Sequence, residues 1–169
     1  MRGLERSPPE PRRGGPCGRS GGSGSVSGIR IQATSWADEV DREAMIDIRY
    51  EVFVVEQEVP VELELDSQDP ACRHLLAFEP NGHPIGTARM QPDGHIGRIA
   101  VVEAWRKQGT GTRLVAALVE AAREVGLNSV DLDSQVHAVG FYEKLGFETC
   151  GDVFMEAGIP HQNMRLRLV

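Results

Sequence analysis

The sequence has few cysteines, no long apolar run and no surplus of positive charge, and each absence excludes a class of protein. Its three cysteines, Cys17, Cys72 and Cys150, lie far apart, so we expect reduced thiols, with neither a disulfide framework nor a bound metal. Every apolar run falls short of the roughly 18 residues that a membrane-spanning helix needs. The first residues also lack the apolar core of a secretory signal. We therefore expect a cytoplasmic protein with no membrane partner.

The charge of the chain argues against a nucleic-acid partner. Its formal net charge is −7, although residues 1–28 taken alone are basic, so the rest of the chain is more acidic still. A nucleic-acid-binding domain would carry a basic patch instead. The excess of acid is compatible with a cationic or amine substrate attracted at long range, and equally with a domain that is simply soluble.

The composition divides the chain into two parts. Residues 1–28 are rich in Gly, Pro, Ser and Arg and have almost no large apolar side chains, which predicts a disordered tail. Residues 29–169 have the length and apolar content of one domain with its own core.

The hydrophobic pattern of residues 29–169 predicts an α/β domain. Periods of two and of 3.6 residues alternate, and Asn81-Gly82 is a strong hairpin signal. We predict helices at residues 36–50, 114–125 and 136–145, and strands at 29–31, 74–78, 84–90, 95–102, 129–132, 147–155 and 163–168. Together they predict a mixed, mostly antiparallel sheet of about seven strands, parallel only beside the glycine-rich turn described next.

Residues 52–73 interrupt this pattern, and we predict a loop with a short helix there. Long loops in compact domains often serve function. The segment holds acids that either line a site for a cationic acceptor or are simply solvated: Glu56, Glu58, Glu62, Glu64, Asp66 and Asp69.

The most informative segment runs from Arg106 to Thr112, between a predicted strand and a predicted helix. Small residues there expose backbone N–H groups at the helix N-terminus, which is typical of a phosphate-binding site. The Gly-Lys-Ser/Thr ending of a nucleoside-triphosphate loop is absent. A dinucleotide fingerprint would need a small residue where Leu114 stands.

Two motifs carry a resemblance to a known family. Arg106-x-x-Gly109-x-Gly111 resembles the Arg/Gln-x-x-Gly-x-Gly/Ala signature of the GNAT N-acetyltransferase superfamily. The run FYEKLGF, from Phe141 to Phe147, is similar to the second-helix signature of that family, at matching spacing. Residues 49–60 and 154–164 resemble its ElaA-like branch. The resemblance covers roughly residues 29–169 and implies the GNAT fold, with acetyl-CoA as the acetyl donor.

The resemblance also implies which residues hold the donor. The turn would bind the pyrophosphate of coenzyme A, and the strand before it would lie along the pantetheine, with the Val101 N–H as the favoured oxyanion donor. The expected cofactor-binding residues are Ile99, Ala100, Val101, Arg106, Lys107, Gln108, Gly109, Thr110, Gly111, Thr112, Phe141 and Lys144.

The resemblance places Tyr142 near the sulfur of coenzyme A. There it would donate a proton to the departing thiolate or stabilise it through a hydrogen bond, unless it only packs one face of its helix. The thiol of Cys150 has no activator evident in the sequence, so we expect direct attack by the amine without a covalent enzyme intermediate.

The base that deprotonates the acceptor is a more open question. Glu56 follows an apolar run and His161 lies in a predicted loop before the last strand, and we name both as catalytic candidates. His74, which opens a predicted strand, is a third candidate base, and His83, His95 and His137 have weaker claims. His74 and Glu56 are also substrate-binding candidates. A water chain could replace them. The acceptor is a small-molecule amine or a protein amine, and a homodimer is possible. The alternative function is a non-catalytic acyl-CoA sensor or interaction module.

Overall fold

The computed structural model describes residues 28–168, so the predicted disordered tail lies outside the described residues except for Gly28. The strands are β1 (Arg30–Thr34), β2 (Arg73–Phe78), β3 (Pro84–Met90), β4 (His95–Val101), β5 (Ser129–Gln135), β6 (Glu148–Glu156) and β7 (Ile159–Arg167). The α-helices are α1 (Glu39–Arg49), α2 (Val61–Glu64), α3 (Thr110–Glu124) and α4 (Val139–Glu143). Within residues 28–168, no helix is both long enough and apolar enough to cross a membrane.

The strands form one sheet in the order β1-β2-β3-β4-β5-β7-β6. Every neighbouring pair is antiparallel except β4 and β5, which run parallel. Helix α3 is the crossover that a parallel pair requires. The predicted fold class, a mixed and mostly antiparallel seven-stranded sheet with flanking helices, is confirmed.

Helix α3 packs on one face of the sheet because its apolar residues recur at helical spacing. Leu114, Val115, Leu118 and Ala122 are all buried there. They join a core that includes Ile96 of β4 and other sheet residues. This packing fixes the N-terminus of α3 at the end of the sheet where β4 ends.

The opposite face is covered by α1, whose N-cap Asp38 accepts a hydrogen bond from the Asp41 N–H at 3.0 Å. Met45, Ile48 and Val52 form a second core with sheet residues. The helix does not end where the sequence predicts, because it continues as a π-helix, Tyr50–Glu56. The prediction of a loop from residue 52 was therefore wrong at its start, since residues 50–56 contain no glycine or proline to end a helix.

Several other predicted boundaries were wrong: β1 continues to Thr34, α3 begins at Thr110 and β5 continues to Gln135. Two further differences lie near the site. The predicted helix at 136–145 is a 3-10 turn, Val136–Ala138, followed by the short α4. Strand β7 begins at Ile159, so His161 lies in a strand and not in the predicted loop. The cause is the two-residue turn of Ala157 (φ 50°) and Gly158 (φ 76°), which closes a tight hairpin between β6 and β7.

Candidate active site

A wedge opens between the two parallel strands. Only His95 with Asp131 and Ile96 with Leu132 are paired between β4 and β5, and the strands separate beyond these pairs. The wedge contributes to a cavity of about 430 Å³. The cavity is also lined by the π-helix, α2, α4 and the β6–β7 hairpin, through Phe53, Gln57, Leu63, Tyr142, Glu156 and His161.

A bulge in β4 shapes the wall of this wedge. Arg98 has a φ of 51°, and the β3–β4 register shifts there. The Val102 N–H donates to the Ile85 carbonyl of β3 at 2.9 Å, so Ala100, two residues earlier, also turns its backbone groups to β3. Val101 lies between them and does not share this orientation. Its N–H therefore faces the side from which β5 has separated.

The glycine-rich turn presents backbone donors at the start of α3. Gly109 is the N-cap, with a φ of 84°, and open space surrounds the position that a Cβ would take. Thr110 is 1% exposed, and its Oγ1 has no hydrogen-bond partner among residues 28–168. Gly111 lies against the ring of Phe141. A Cβ at position 111 would lie 3.5 Å from Phe141 Cζ. The bare N–H groups of the turn fit an anionic ligand such as a pyrophosphate.

Arg106 joins this turn to the π-helix. Its Nε donates to the Val101 carbonyl at 2.9 Å, and its Nη2 lies 2.6 Å from Glu56 Oε2. Glu56, a sequence candidate for the base, thus has a cationic partner and does not line the cavity. Glu56 is therefore better placed to orient Arg106 than to accept a proton from a substrate. Other predicted cofactor residues with side chains at the protein surface are Lys107, Gln108 and Lys144.

Tyr142 lines the cavity from α4. Its ring packs edge-on against Phe141 and Phe147, with centroid distances of 4.9 and 5.9 Å. Burial raises the pKa of Tyr142 to about 12. The phenol therefore stays protonated at neutral and mildly basic pH, and it can act as a hydrogen-bond donor towards the wedge.

The two predicted histidines occupy different environments. His161 is 8% exposed, lines the cavity and stacks on Phe154, and its Nδ1 lies 2.7 Å from the Ile159 carbonyl. His74 is 1% exposed, stacks on Trp36, and lies 2.8 Å from the Asp69 carbonyl through Nε2. Burial also lowers the pKa of His74. Because His74 is not among the cavity residues, its position does not support the predicted substrate-binding role.

Sequence reasoning missed an arginine–carboxylate network behind the cavity wall. Its members are Arg49, Arg89, Arg98, Glu64, Asp66 and Asp69. Of the predicted loop acids, Glu64 and Asp69 are thus buried, and the partly exposed Asp66 is paired with Arg89 and Arg98. None of the three is free for a cationic acceptor. Arginines inside apolar strands, as in Ala88-Arg89-Met90, are the signal that could have indicated buried partners.

The network holds α2 and the following turn against the sheet. Arg49 contacts Glu64 and lies 2.8 Å from Asp69 Oδ1, and Arg89 lies 2.8 Å from the same oxygen. Arg98, at the bulge, donates to the carbonyls of Leu63 and Glu64 at 3.2 and 3.1 Å. The ion pairs therefore position one wall of the cavity.

The chain matches the family model described as an acetyltransferase (GNAT) domain over residues 37–168. A Bacillus subtilis protein named as a candidate acetyltransferase is 42% identical over 129 residues, which cover 73% of this chain and 87% of that protein.

Solved structures show the same likeness. An acyl-CoA N-acyltransferase from Pseudomonas aeruginosa is 31% identical with a TM-score of 0.72, covering 81% of this chain and 98% of that one. ElaA of Escherichia coli is 28% identical with a TM-score of 0.73, covering 80% of this chain and 98% of that one.

Proposed function

Because this chain belongs to the GNAT acetyltransferase family, we propose that it transfers an acetyl group from acetyl-CoA to an amine by direct attack. The proposal rests on how the glycine-rich turn, strand β4 and the cavity adjoin one another. A glycine-rich turn with bare N–H groups follows the same strand whose bulge and unpaired edge line the cavity, and Tyr142 lines that cavity too. A donor with a phosphate end and a thioester end fits this arrangement.

The residues of the turn and of β4 would hold the donor. Backbone N–H groups from Gln108 to Thr112 would bind its pyrophosphate. Lys107, Gln108 and Lys144 would contribute at the surface. The N–H of Val101 would stabilise negative charge on the thioester oxygen, as a preorganised donor beside a cavity. When bound, the donor supplies the activated acetyl group.

Tyr142 would assist the leaving thiolate chiefly through a hydrogen bond. An ordinary thiol has a pKa of about 8.5. Full proton transfer from a phenol with a pKa of about 12 would therefore be uphill by roughly 5 kcal/mol. A hydrogen bond to a charged acceptor contributes about 1.5–3 kcal/mol without that cost. We propose that the thiolate is stabilised in this way and takes its proton from solvent.

The acceptor would enter the same cavity as a small-molecule amine or a protein amine. We propose His161 as an acceptor-site residue, because it lines the cavity and is more than nine-tenths buried. Glu56 would act through Arg106, to which it is ion-paired. The amine nitrogen would form the new C–N bond as the C–S bond breaks and the electron pair leaves with the sulfur.

Donor binding and turnover are tested separately. Acetyl-CoA should raise the melting temperature more than NAD or ATP does, and release of free thiol should follow addition of amines. Longer acyl-CoA donors should be included, because the similar Pseudomonas aeruginosa protein is an acyl-CoA N-acyltransferase. Binding without turnover across a broad amine panel would favour a non-catalytic sensor, and no stabilisation by any acyl-CoA would remove the donor assignment.

Tyr142→Phe tests the role of the phenol. We expect kcat to fall by about 10- to 100-fold, the equivalent of one charge-assisted hydrogen bond, with acetyl-CoA affinity nearly unchanged. Tyr50→Phe is the matched control, since Tyr50 is half exposed and does not line the cavity. Lost affinity with undiminished kcat would make Tyr142 a packing residue.

A further inference from the structure

His95 and Asp131 form a side-chain pair at the closed end of the wedge. His95 Nδ1 lies 3.0 Å from Asp131 Oδ2, and the two residues are also register partners in β4 and β5. Asn163 Nδ2 approaches the same Asp131 oxygen at 3.3 Å. Both members of the pair remain partly exposed, at 28% and 30%. The pair is therefore fixed in position and still accessible.

The partners of the imidazole determine which nitrogen can accept a proton. A carboxylate can only accept a hydrogen bond, so Nδ1 carries the hydrogen that His95 donates to Asp131. In the neutral ring this leaves Nε2 as an acceptor. An imidazole oriented by a carboxylate in this way is the usual arrangement of a catalytic base.

A second acceptor lies beside Nε2. Asp133 Oδ2 is 3.8 Å away, which is beyond hydrogen-bond distance, while Asp133 Oδ1 accepts from Asn163 Nδ2 at 2.9 Å. His95 and Asp133 both line the cavity that Tyr142 also lines. Two neighbouring acceptors without a donor between them fit the N–H groups of a primary ammonium.

We infer that His95 is the catalytic base that deprotonates the amine acceptor, with Asp131 as its positioning residue and Asp133 as a ligand for the ammonium. This rests on the proposed function. The acceptor N–H bond breaks, and the electron pair stays on nitrogen to form the C–N bond. The proton reaches His95 Nε2 through water in the cavity, because His95 lies six residues before Val101 on β4. The proton then leaves His95 for solvent through the open side of the cavity.

His95 is better suited to this role than His161. The Nδ1 of His161 is oriented by a backbone carbonyl, which carries no net charge. The carboxylate of Asp131 stabilises the imidazolium that forms on His95 during turnover. His95 is also the more exposed of the two side chains, at 28% against 11%, so it can return its proton to water more readily.

Other charged groups face His95 across the cavity. Asp131 and Asp133 approach from β5, Glu64 from α2 and Arg98 from β4. Glu156, His161 and His137 line the same cavity further along the chain. Arg98 is already engaged by Asp66 and by backbone carbonyls, so the charges nearest to His95 are the two carboxylates of β5.

The test compares His95→Gln, Asp131→Asn and His161→Gln in the full chain, with His83→Gln as control. His83 is highly exposed and lies outside the cavity. The measurements are kcat and KM for an amine found to be a substrate, acetyl-CoA affinity, and the pH dependence of kcat/KM. Melting temperatures show whether each variant is folded.

We expect His95→Gln to lower kcat at least 100-fold, the usual contribution of a positioned base, and to remove the acidic limb of the pH profile. Asp131→Asn should lower kcat at least tenfold, with partial recovery in Asp131→Glu, and acetyl-CoA affinity should stay within about twofold in all of them. His83→Gln should match the wild type.

Two results would overturn the inference alone. One is a folded His95→Gln variant whose kcat is within threefold of wild type and whose pH profile keeps its acidic limb. Loss of a positioned base should instead lower kcat by about 100-fold. The other is loss of that limb in His161→Gln but not in His95→Gln, which would assign the base to His161. Failure of the wild type to acetylate any amine would overturn the proposed function as well, which distinguishes the two failures.

Discussion

The replacement Asp69→Asn removes one charge from the arginine–carboxylate network without changing the size of the side chain. Asp69 is 1% exposed and accepts from Arg49 at 2.8 and 3.2 Å and from Arg89 at 2.8 Å. The network has three arginines and three carboxylates, so its formal charges balance. Asparagine would leave one buried positive charge without a counterion.

The expected cost follows from that imbalance. Removing one partner of a buried ion pair typically costs about 3–5 kcal/mol. Asparagine still offers one oxygen as an acceptor, so we take the lower end, about 3 kcal/mol. At about 2–4 °C per kcal/mol for a chain of this size, the melting temperature should fall by about 6–12 °C. Total stabilities are only about 5–15 kcal/mol, so the loss would be a large fraction.

Urea unfolding and thermal melts measure this loss. The midpoint should decrease at an unchanged m-value, because the folded state keeps its surface area. Asp152→Asn on the exposed strand β6 is the control, and it should change stability by less than about 0.5 kcal/mol. A loss below about 1 kcal/mol in Asp69→Asn would refute the argument that the arginines depend on this carboxylate.

The pH dependence gives a second measurement on the same network. The hydrogen bond from Arg89 lowers the pKa of Asp66 to about 2. Burial alone would raise the pKa of Asp69, but Arg49 and Arg89 more than offset burial and hold it below its ordinary value. For Asp66, the lowered pKa means that its contribution to stability is present above about pH 4 and is lost as pH falls through about 2. The contribution of Asp69 is likewise lost on acidification, below the ordinary pKa of an aspartate. Asp69→Asn should flatten this acid dependence.

Two further predictions follow from local geometry. Gly94 and Gly82 both have positive φ, 94° and 90°, so alanine should cost about 1–2 kcal/mol at either. In urea unfolding, Gly94→Ala should lower the free energy of unfolding by about 1–3 kcal/mol more than Gly82→Ala, because the new Cβ would lie 2.9 Å from the Ser129 carbonyl oxygen. Equal losses in the two variants would contradict this. Glu56→Gln should change acetyl-CoA affinity by a few-fold through Arg106 while kcat is retained, and a collapse of kcat in single-turnover assays would instead restore Glu56 as a base.

Much of the fold could be predicted because its signals are local. The hairpin at Asn81-Gly82, the period of α3 and the glycines that follow α3 and α4 are patterns within about 15 residues. The boundaries that failed lie where local signals are weak. No breaker marks the end of α1, so the π-helix was missed, and Ala157 is not an expected residue for a tight turn with positive φ.

The sequence by itself determined the family, the fold class and the position of the glycine-rich turn, because motif spacing and hydrophobic period are properties of neighbouring residues. Tertiary structure alone decided the partners of the site's charged side chains. Glu56 and Arg106 are 50 residues apart in the chain, and His95 and Asp131 are 36 apart. Whether a carboxylate meets an arginine, a histidine or water depends on how distant segments pack, and that in turn decides its charge and its chemistry.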